Sequence, residues 1–342
     1  MGDRIVRFYE VGGPEVLRLE TAPREAPRPD EVRLRVRAIG LNNSEAQYRR
    51  GEYPMRDTVF PTRLGRECSG VVEAVGDKVR SVRPGDEVST VPNFDIQRGG
   101  VYGEWAIVPA TALVPMPAGL SYVQAAAVWQ QYLTAYGPLV EHGALRAGDC
   151  VLVTAASSSV GRGAIQMAKL LGCEVIAVTR TPAKCQALRS SGADHVIVSS
   201  EEDLVSRVAA ITGDKGFRLA LDPVAGPGLS SLAEAAGRAA MIVEYGQLSP
   251  EPTPFPLLAV LRKGLVIRGY TLWEITLDAA RLAHAVDWIA SRLATGSLRP
   301  AIDRVFSLEQ IVEAHRYIES GLQNGKIVVD VEGAGGSSGM RV

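Results

Sequence analysis

A chain of 342 residues is longer than one hydrophobic core usually serves, so two domains are the default expectation. A net charge of −1 supplies no field for nucleic acid or an anionic membrane, and there is no basic tract. Hydrophobic residues at 46% and charged residues at 22% suit an ordinary globular protein, with no run of 18 apolar residues to read as a membrane span.

Residues 1–120 read as short strands and turns. DEVRLRVRAIGLN alternates charged and apolar residues with period 2, as a half-buried strand does. GVVEAVGDKVRSVRPGDEVST continues the texture, with turn signals at Gly76-Asp77 and Pro84-Gly85-Asp86. After Leu120 the texture changes. SYVQAAAVWQQYLTAYGPLVE opens on a candidate N-cap, Ser121, and carries helical periodicity. Apolar strands then alternate with helices: DCVLVTAA, CEVIAVT, HVIVSS, LALDPV, AAMIVEYG and GLVIRGYTL. These runs are nearly continuously apolar, as parallel strands covered on both faces are. Six of them in alternation with helices form the doubly wound α/β pattern. Near residue 300 the short-strand texture returns in RVFSL and GKIVVDV, and the tail EGAGGSSGMRV is small, polar and expected to be disordered. The cysteines Cys68, Cys150, Cys173 and Cys185 lack C-x-x-C spacing, and the opening MGDRIVRFYE has no apolar signal region. The expected setting is cytoplasmic, with reduced thiols.

The first of the six strands runs into VTAASSSVGRGAIQMAK, where a dinucleotide-binding fold carries G-x-G-x-x-G. Ala156 and Ser158 hold the first two glycine places, and Gly161 holds the third. The physical need is for small side chains, so that the backbone can turn tightly and approach a pyrophosphate. Ser158 and Ser159 can donate hydroxyl hydrogen bonds to phosphate. A helix expected to begin at Gly161 offers its N–H groups and positive dipole end. The competing reading is a tight strand–helix turn without a ligand. At the end of the next strand, a carboxylate would hold the 2′-hydroxyl of NAD. Here Thr179 is followed by Arg180, with Lys184 one turn on, and this suits a 2′-phosphate. NADP(H) is therefore the expected cofactor, against a merely solvated loop for the two cations.

GGPEVL, LNNSEAQYRRGEYP, PTRLGRECSGVVEAVG, VRPGDEV, GVYGEWAIVP, AAAVWQQYLTAYGPL, AGDCVLVTAASSSVGRGAIQMAK, GADHVI, DPVAGPG and NGKIVV occur in this order. Through them the chain up to about Val331 resembles a medium-chain dehydrogenase/reductase of the zinc-free quinone oxidoreductase group. The resemblance implies a GroES-like, β-rich catalytic domain over 1–123 and 301–342, and a Rossmann domain with a six-stranded parallel sheet over 124–300. It also implies a cofactor-contacting Thr134 in YLTAY, Val160 at the phosphate turn, Tyr245 in VEYGQ and Lys326 in NGKIVV. Tyr245 has a core-packing reading of equal weight. Asp222-Pro223 reads as shaping a strand end.

Departures from the family's zinc enzymes bear on the chemistry. Where they carry a Cys and a His for the catalytic metal, this chain has Asn42 and Arg66, and Glu67 remains. STVPNFDIQRGGVYGEW, residues 89–105, has none of the cysteines of their structural zinc lobe. The expected reaction is hydride transfer from NADPH to an enone, an enoyl compound or a quinone, without a metal. Charge developing on the carbonyl oxygen then needs hydrogen-bond donors. The resemblance places Asn42 and Tyr53 in that role, Tyr53 also as proton donor. Gln47 stands where many relatives have a second tyrosine. Arg66 has two readings: a cation that polarises the carbonyl, or a partner for a carboxylate such as Glu67. Two other functions stay open, a non-catalytic NADPH-binding protein and an alcohol dehydrogenase. The partner expected besides a small-molecule substrate is a second copy of the chain, paired through KGLVIRGYTLW at the sheet edge.

Overall fold

The computed structural model describes residues 2–53 and 57–332; the tail from Gly333 on, which the sequence reading expects to be disordered, lies outside the described residues. The chain divides into two compact units, one from its start to Gln130 and again from Pro300, the other from Gln131 to Arg299. The sequence reading puts that division after residue 123.

The first unit opens with β1 (Asp3–Arg7) and β2 (Arg18–Ala22), an antiparallel pair. β3 (Glu31–Gly40) is its longest strand and leads directly into α1 (Asn43–Arg49). The expected alternation holds in the middle of β3, where Leu34 and Val36 are buried and Arg33 and Arg35 are not. Each such fully buried aliphatic side chain contributes about 1.5–3 kcal/mol. β4 (Cys68–Val75), β5 (Glu87–Thr90), β6 (Trp105–Pro109) and β7 (Leu113–Pro115) follow, with the one-turn helix α2 (Ile96–Gly99) before β6.

SYVQAAAVWQQYLTAYGPLVE is not one continuous helix. Ser121 caps α3 (Tyr122–Ala125), its side chain accepting the Gln124 N–H, as the sequence suggests. A turn then separates α3 from α4 (Trp129–Tyr136), and Gly137–His142 winds as a wider π-type turn. Pro138 has no N–H for regular α-helical pairing there, which accounts for the second break.

In the second unit the six expected runs are all strands: β8 (Cys150–Val153), β9 (Glu174–Thr179), β10 (His195–Val198), β11 (Phe217–Asp222), β12 (Ala236–Glu244) and β13 (Val266–Gly269). All pair in parallel in the order β10-β9-β8-β11-β12-β13. The order reverses between β8 and β11, and ligands bind open α/β sheets outside the strands' carboxyl ends at such a point. Leu152, Ile176, Ile197, Ala220 and Ile242 fill one buried layer across this sheet.

The chain returns to the first unit with β14 (Ile302–Ser307) and β15 (Lys326–Asp330). These complete a seven-stranded sheet in the order β14-β15-β3-β4-β5-β7, with β6 also paired to β3. β15 thus lies beside the end of β3, with Val328 opposite Gly40. No helix among the described residues is long and apolar enough to cross a membrane.

Candidate active site

The turn after β8 is built by the backbone. Ala155 takes a left-handed φ of 42°, a conformation that costs a non-glycine residue roughly 1–2 kcal/mol. Ser158 then caps α5 (Ser159–Leu170), its Oγ accepting the Gly161 N–H at 3.0 Å. The helix therefore begins at Ser159, two residues before the expected start at Gly161, because Ser158 supplies the first-turn acceptor. Ser159 and Val160 head the helix, where N–H groups have no intrahelical acceptor. A Cβ on Gly161 would lie 2.6 Å from the Ala156 carbonyl oxygen, so only glycine lets the helix pack this closely onto the turn.

One cation, Lys184, reaches the turn from the next crossover. Thr179 ends β9 and is buried, and Arg180 after it is exposed. Lys184 lies in the short turn Pro182–Lys184 and donates from Nζ to Ser157 Oγ at 3.1 Å. Thr134 is buried in α4.

At the carboxyl end of β11, Asp222 accepts the N–H groups of Val224 (3.1 Å) and Ala225 (2.9 Å) and the hydroxyl of Thr154. This is the strand-end shaping the sequence suggests. Glu244 stands in register with it on β12. Both Glu244 carboxyl oxygens are buried without a hydrogen-bond partner among the described residues. Burial first, and then the Asp222 charge, push its pKa up to about 8, so at neutral pH it is mostly protonated. The neighbouring Tyr245 hydroxyl is buried and also lacks a hydrogen-bond partner among the described residues. Burial pushes its pKa upward. Sequence reasoning passed over Glu244; its only signal was an acidic residue closing the apolar run AAMIVE.

The first unit holds a different kind of centre. Asn42, at the start of α1, donates from Nδ2 to the Gly40 carbonyl (3.2 Å) and to Glu67 Oε2 (3.3 Å). Its Oδ1 accepts Lys326 Nζ at 2.7 Å. Lys326 also donates to Glu67 Oε2, and the ion-paired side chains are both 0% exposed. Glu67 Oε1 accepts the Gln130 N–H at 2.9 Å. Gly40 makes room for this group: a Cβ there would meet the Ala126 carbonyl at 2.0 Å and Lys326 Cε at 2.8 Å. Asn42 and Lys326, which the sequence reading assigns to substrate and to cofactor, are thus in one network. Both Asn42 amide hydrogens are engaged within it.

Arg66 is 8% exposed, and its guanidinium carbon lies 5.8 Å from the centre of the Tyr53 ring. Tyr53 is half-buried and packs edge-on against Tyr48. Beneath these residues lies a polar cluster that sequence reasoning missed. Glu45 accepts the N–H groups of Asn42 (2.9 Å) and Arg66 (3.3 Å) and the Tyr102 hydroxyl (2.8 Å). The Tyr102 oxygen lies 3.1 Å from His315 Nε2. Because Tyr102 donates to Glu45, it accepts from His315, which assigns the proton to Nε2 and leaves the buried Nδ1 without a partner among the described residues. Burial holds the His315 pKa down at about 3, so the ring is neutral, and burial raises that of Glu45. Asn42-x-x-Glu45 is a helix-start pattern that could have drawn attention to Glu45.

Two family models match the chain: an alcohol dehydrogenase GroES-like domain over residues 28–118 and a zinc-binding dehydrogenase over residues 159–291. The second description names a metal, yet among the described residues no three His, Cys, Asp or Glu side chains gather into a metal site. The quinone oxidoreductase of Pseudomonas aeruginosa is 32% identical over 325 residues, covering 95% of this chain and 98% of that protein. The quinone oxidoreductase of Homo sapiens is 30% identical over 322 residues, covering 93% and 94%. The solved structure of Escherichia coli quinone oxidoreductase complexed with NADPH superposes with a TM-score of 0.88 at 28% identity, covering 96% of this chain and 100% of that one. With matches of this identity along nearly its whole length, the chain belongs to the quinone oxidoreductase family of the medium-chain dehydrogenases/reductases.

Proposed function

We propose that this protein is an NADPH-dependent reductase of quinones or of electron-poor C=C bonds conjugated to a carbonyl. The observation that carries the cofactor assignment is the turn after β8. Lys184 is bound to Ser157, Arg180 is exposed beside the end of β9, and Thr179 rather than a carboxylate occupies that end. The relatives named above support the reaction class, and the Escherichia coli enzyme was solved with NADPH.

The residues present fit the group. Ser158, Ser159 and Val160 would receive the pyrophosphate on the helix start that Gly161 lets pack closely onto the turn, and Arg180 and Lys184 would hold the 2′-phosphate. Thr134 is the contact proposed near the nicotinamide, and Tyr245 a cofactor contact at the end of its strand. When bound, NADPH supplies a hydride from its nicotinamide ring. The chain's own part is to orient the acceptor and to stabilise charge on its oxygen. We assign this to the Arg66 guanidinium and the Tyr53 hydroxyl, which also delivers the proton that completes a C=C reduction. Asn42 acts here by fixing Lys326 against Glu67. Loss of nicotinamide absorbance on mixing with a panel of enones, enoyl thioesters and quinones tests the proposal. Turnover of at least one class, with NADPH preferred over NADH, is expected; a silent panel would leave only a binding protein.

The same reading includes a homodimer in a cytoplasmic setting. β13 is an edge strand with Val266 46% exposed, and the preceding helix Leu257–Lys263 exposes Leu257, Leu258 and Leu261. Four free cysteines, three of them buried, suit a reducing compartment. Light scattering at micromolar concentration should give twice the chain mass, and a monomer mass would contradict the pairing.

A further inference from the structure

A polar cavity lies wholly in the first unit, formed from residues 7 to 107. Its volume is about 500 Å³, and Arg7, Arg28, Arg63 and Arg98 line it together with the carboxylates Glu25 and Asp95. Arg98 is already neutralised, forked onto Glu31 at 2.5 and 2.8 Å. Asp95 is engaged as a helix cap, accepting the Gln97 N–H at 2.9 Å. Arg7 pairs with Glu20 only at 4.0 Å, and Arg28 is exposed.

Arg63 is the unusual member. It is 7% exposed, yet among the described residues its acceptors are backbone carbonyls, Trp105 O at 2.6 Å and Tyr102 O at 3.2 Å. Its guanidinium lies 4.9 Å over the Trp105 ring, and its Nε is buried with no hydrogen-bond partner among the described residues. No carboxylate among the described residues forms an ion pair with it. A buried charge normally has a counter-charge, because desolvation is otherwise uncompensated. Burial lowers its pKa to about 9, which still leaves it protonated at neutral pH. Gly100 gives it space: a Cβ there would fall 2.5 Å from Arg63 Cβ.

We propose that this cavity is a binding site for a small phosphate-bearing anion, held by the buried Arg63 together with the more accessible Arg7 and Arg28. The planar fork of arginine matches phosphate oxygens, and the Arg63 guanidinium has backbone carbonyls rather than a carboxylate against it among the described residues. Trp105 and Ile107 give the cavity an apolar wall for the organic part of a phosphate monoester. This site uses none of the residues assigned to NADPH or to the reacting substrate.

Calorimetric titration of inorganic phosphate into the full chain saturated with NADPH tests it, with chloride at matched ionic strength as the control. Saturable binding at one site per chain is expected, at least about tenfold weaker in Arg63→Gln and several-fold weaker in Arg28→Ala. Arg180→Ala should leave it unchanged, which separates this site from the proposed nucleotide turn. If Arg63→Gln fails to fold, Arg28→Ala and Arg7→Gln read the same effect. No saturable binding, chloride matching phosphate, affinity unchanged in the arginine variants, or loss in Arg180→Ala would each overturn the proposal.

Discussion

The two units organise their polar groups in contrasting ways. In the second, the turn from Ala155 to Gly161 is made by a few consecutive residues, and Lys184 reaches it from the next crossover. In the first, Asn42, Glu67 and Lys326 form a closed, paired group, and Lys326 lies 259 residues from Glu67 in sequence. The difference teaches where a family's chemistry can drift. A backbone cradle tolerates Ala and Ser for Gly as long as the side chains stay small. A side-chain centre changes its chemistry whenever one partner changes.

The largest expected effect breaks the closed group. Lys326→Met leaves Glu67 buried without its cation, and removing one partner of such a pair costs about 3–5 kcal/mol. Urea denaturation should show that loss, and Lys326→Met combined with Glu67→Gln should recover more than half of it. A single variant within about 1 kcal/mol of the parent would mean that the group does not hold the first unit together.

Next comes the open cradle. Arg180→Ala should weaken NADPH binding by about 1.5–3 kcal/mol, roughly one to two decades, and leave NADH binding where it was. Equal affinity for the two nucleotides in the parent protein would remove the 2′-phosphate from the account.

These contrasts also explain what was legible in the sequence. The six strand runs, the Ser121 cap and the strand-end role of Asp222 are local patterns, so periodicity and turn chemistry revealed them. The α5 start was misplaced by two residues because hydroxyl capping by Ser158 competed with a glycine-centred reading. Tyr102 and His315 are 213 residues apart, and nothing local joins them. Family resemblance named Asn42 and Lys326 separately; only the pairing of β15 with β3 brings the two together. Arg63 left no sign, because burial without a counter-charge is visible only in three dimensions.

A smaller effect sharpens the role of Tyr53. Tyr53→Phe should lower kcat on an enone at least about tenfold, near 1.4 kcal/mol, with NADPH affinity unchanged. Full activity would leave water as the proton donor and Tyr53 as a packed wall against Tyr48.

The smallest concerns pH. Glu244 has a folded pKa of about 8 against an ordinary 4.5, so the folded state binds more protons than the unfolded chain between those values. Stability from this group is therefore fully present below about pH 4.5 and is lost as pH rises towards 8. Glu244→Gln should raise the melting temperature at pH 8 by a few degrees, with little change at pH 5, an effect on the order of 1 kcal/mol after solvent screening. Parallel pH profiles in the two proteins would show that Glu244 is already hydrated and charged.

Hydride transfer from NADPH to carbon is the central claim, and isotope placement tests it most directly. The protein is given an enone with NADPH deuterated at nicotinamide C4, each epimer in turn, and the product is read by NMR. The account predicts deuterium at the β-carbon from one epimer only, with a solvent-derived hydrogen at the α-carbon. Product without deuterium from either epimer, or no product from any enone or quinone offered, would contradict it.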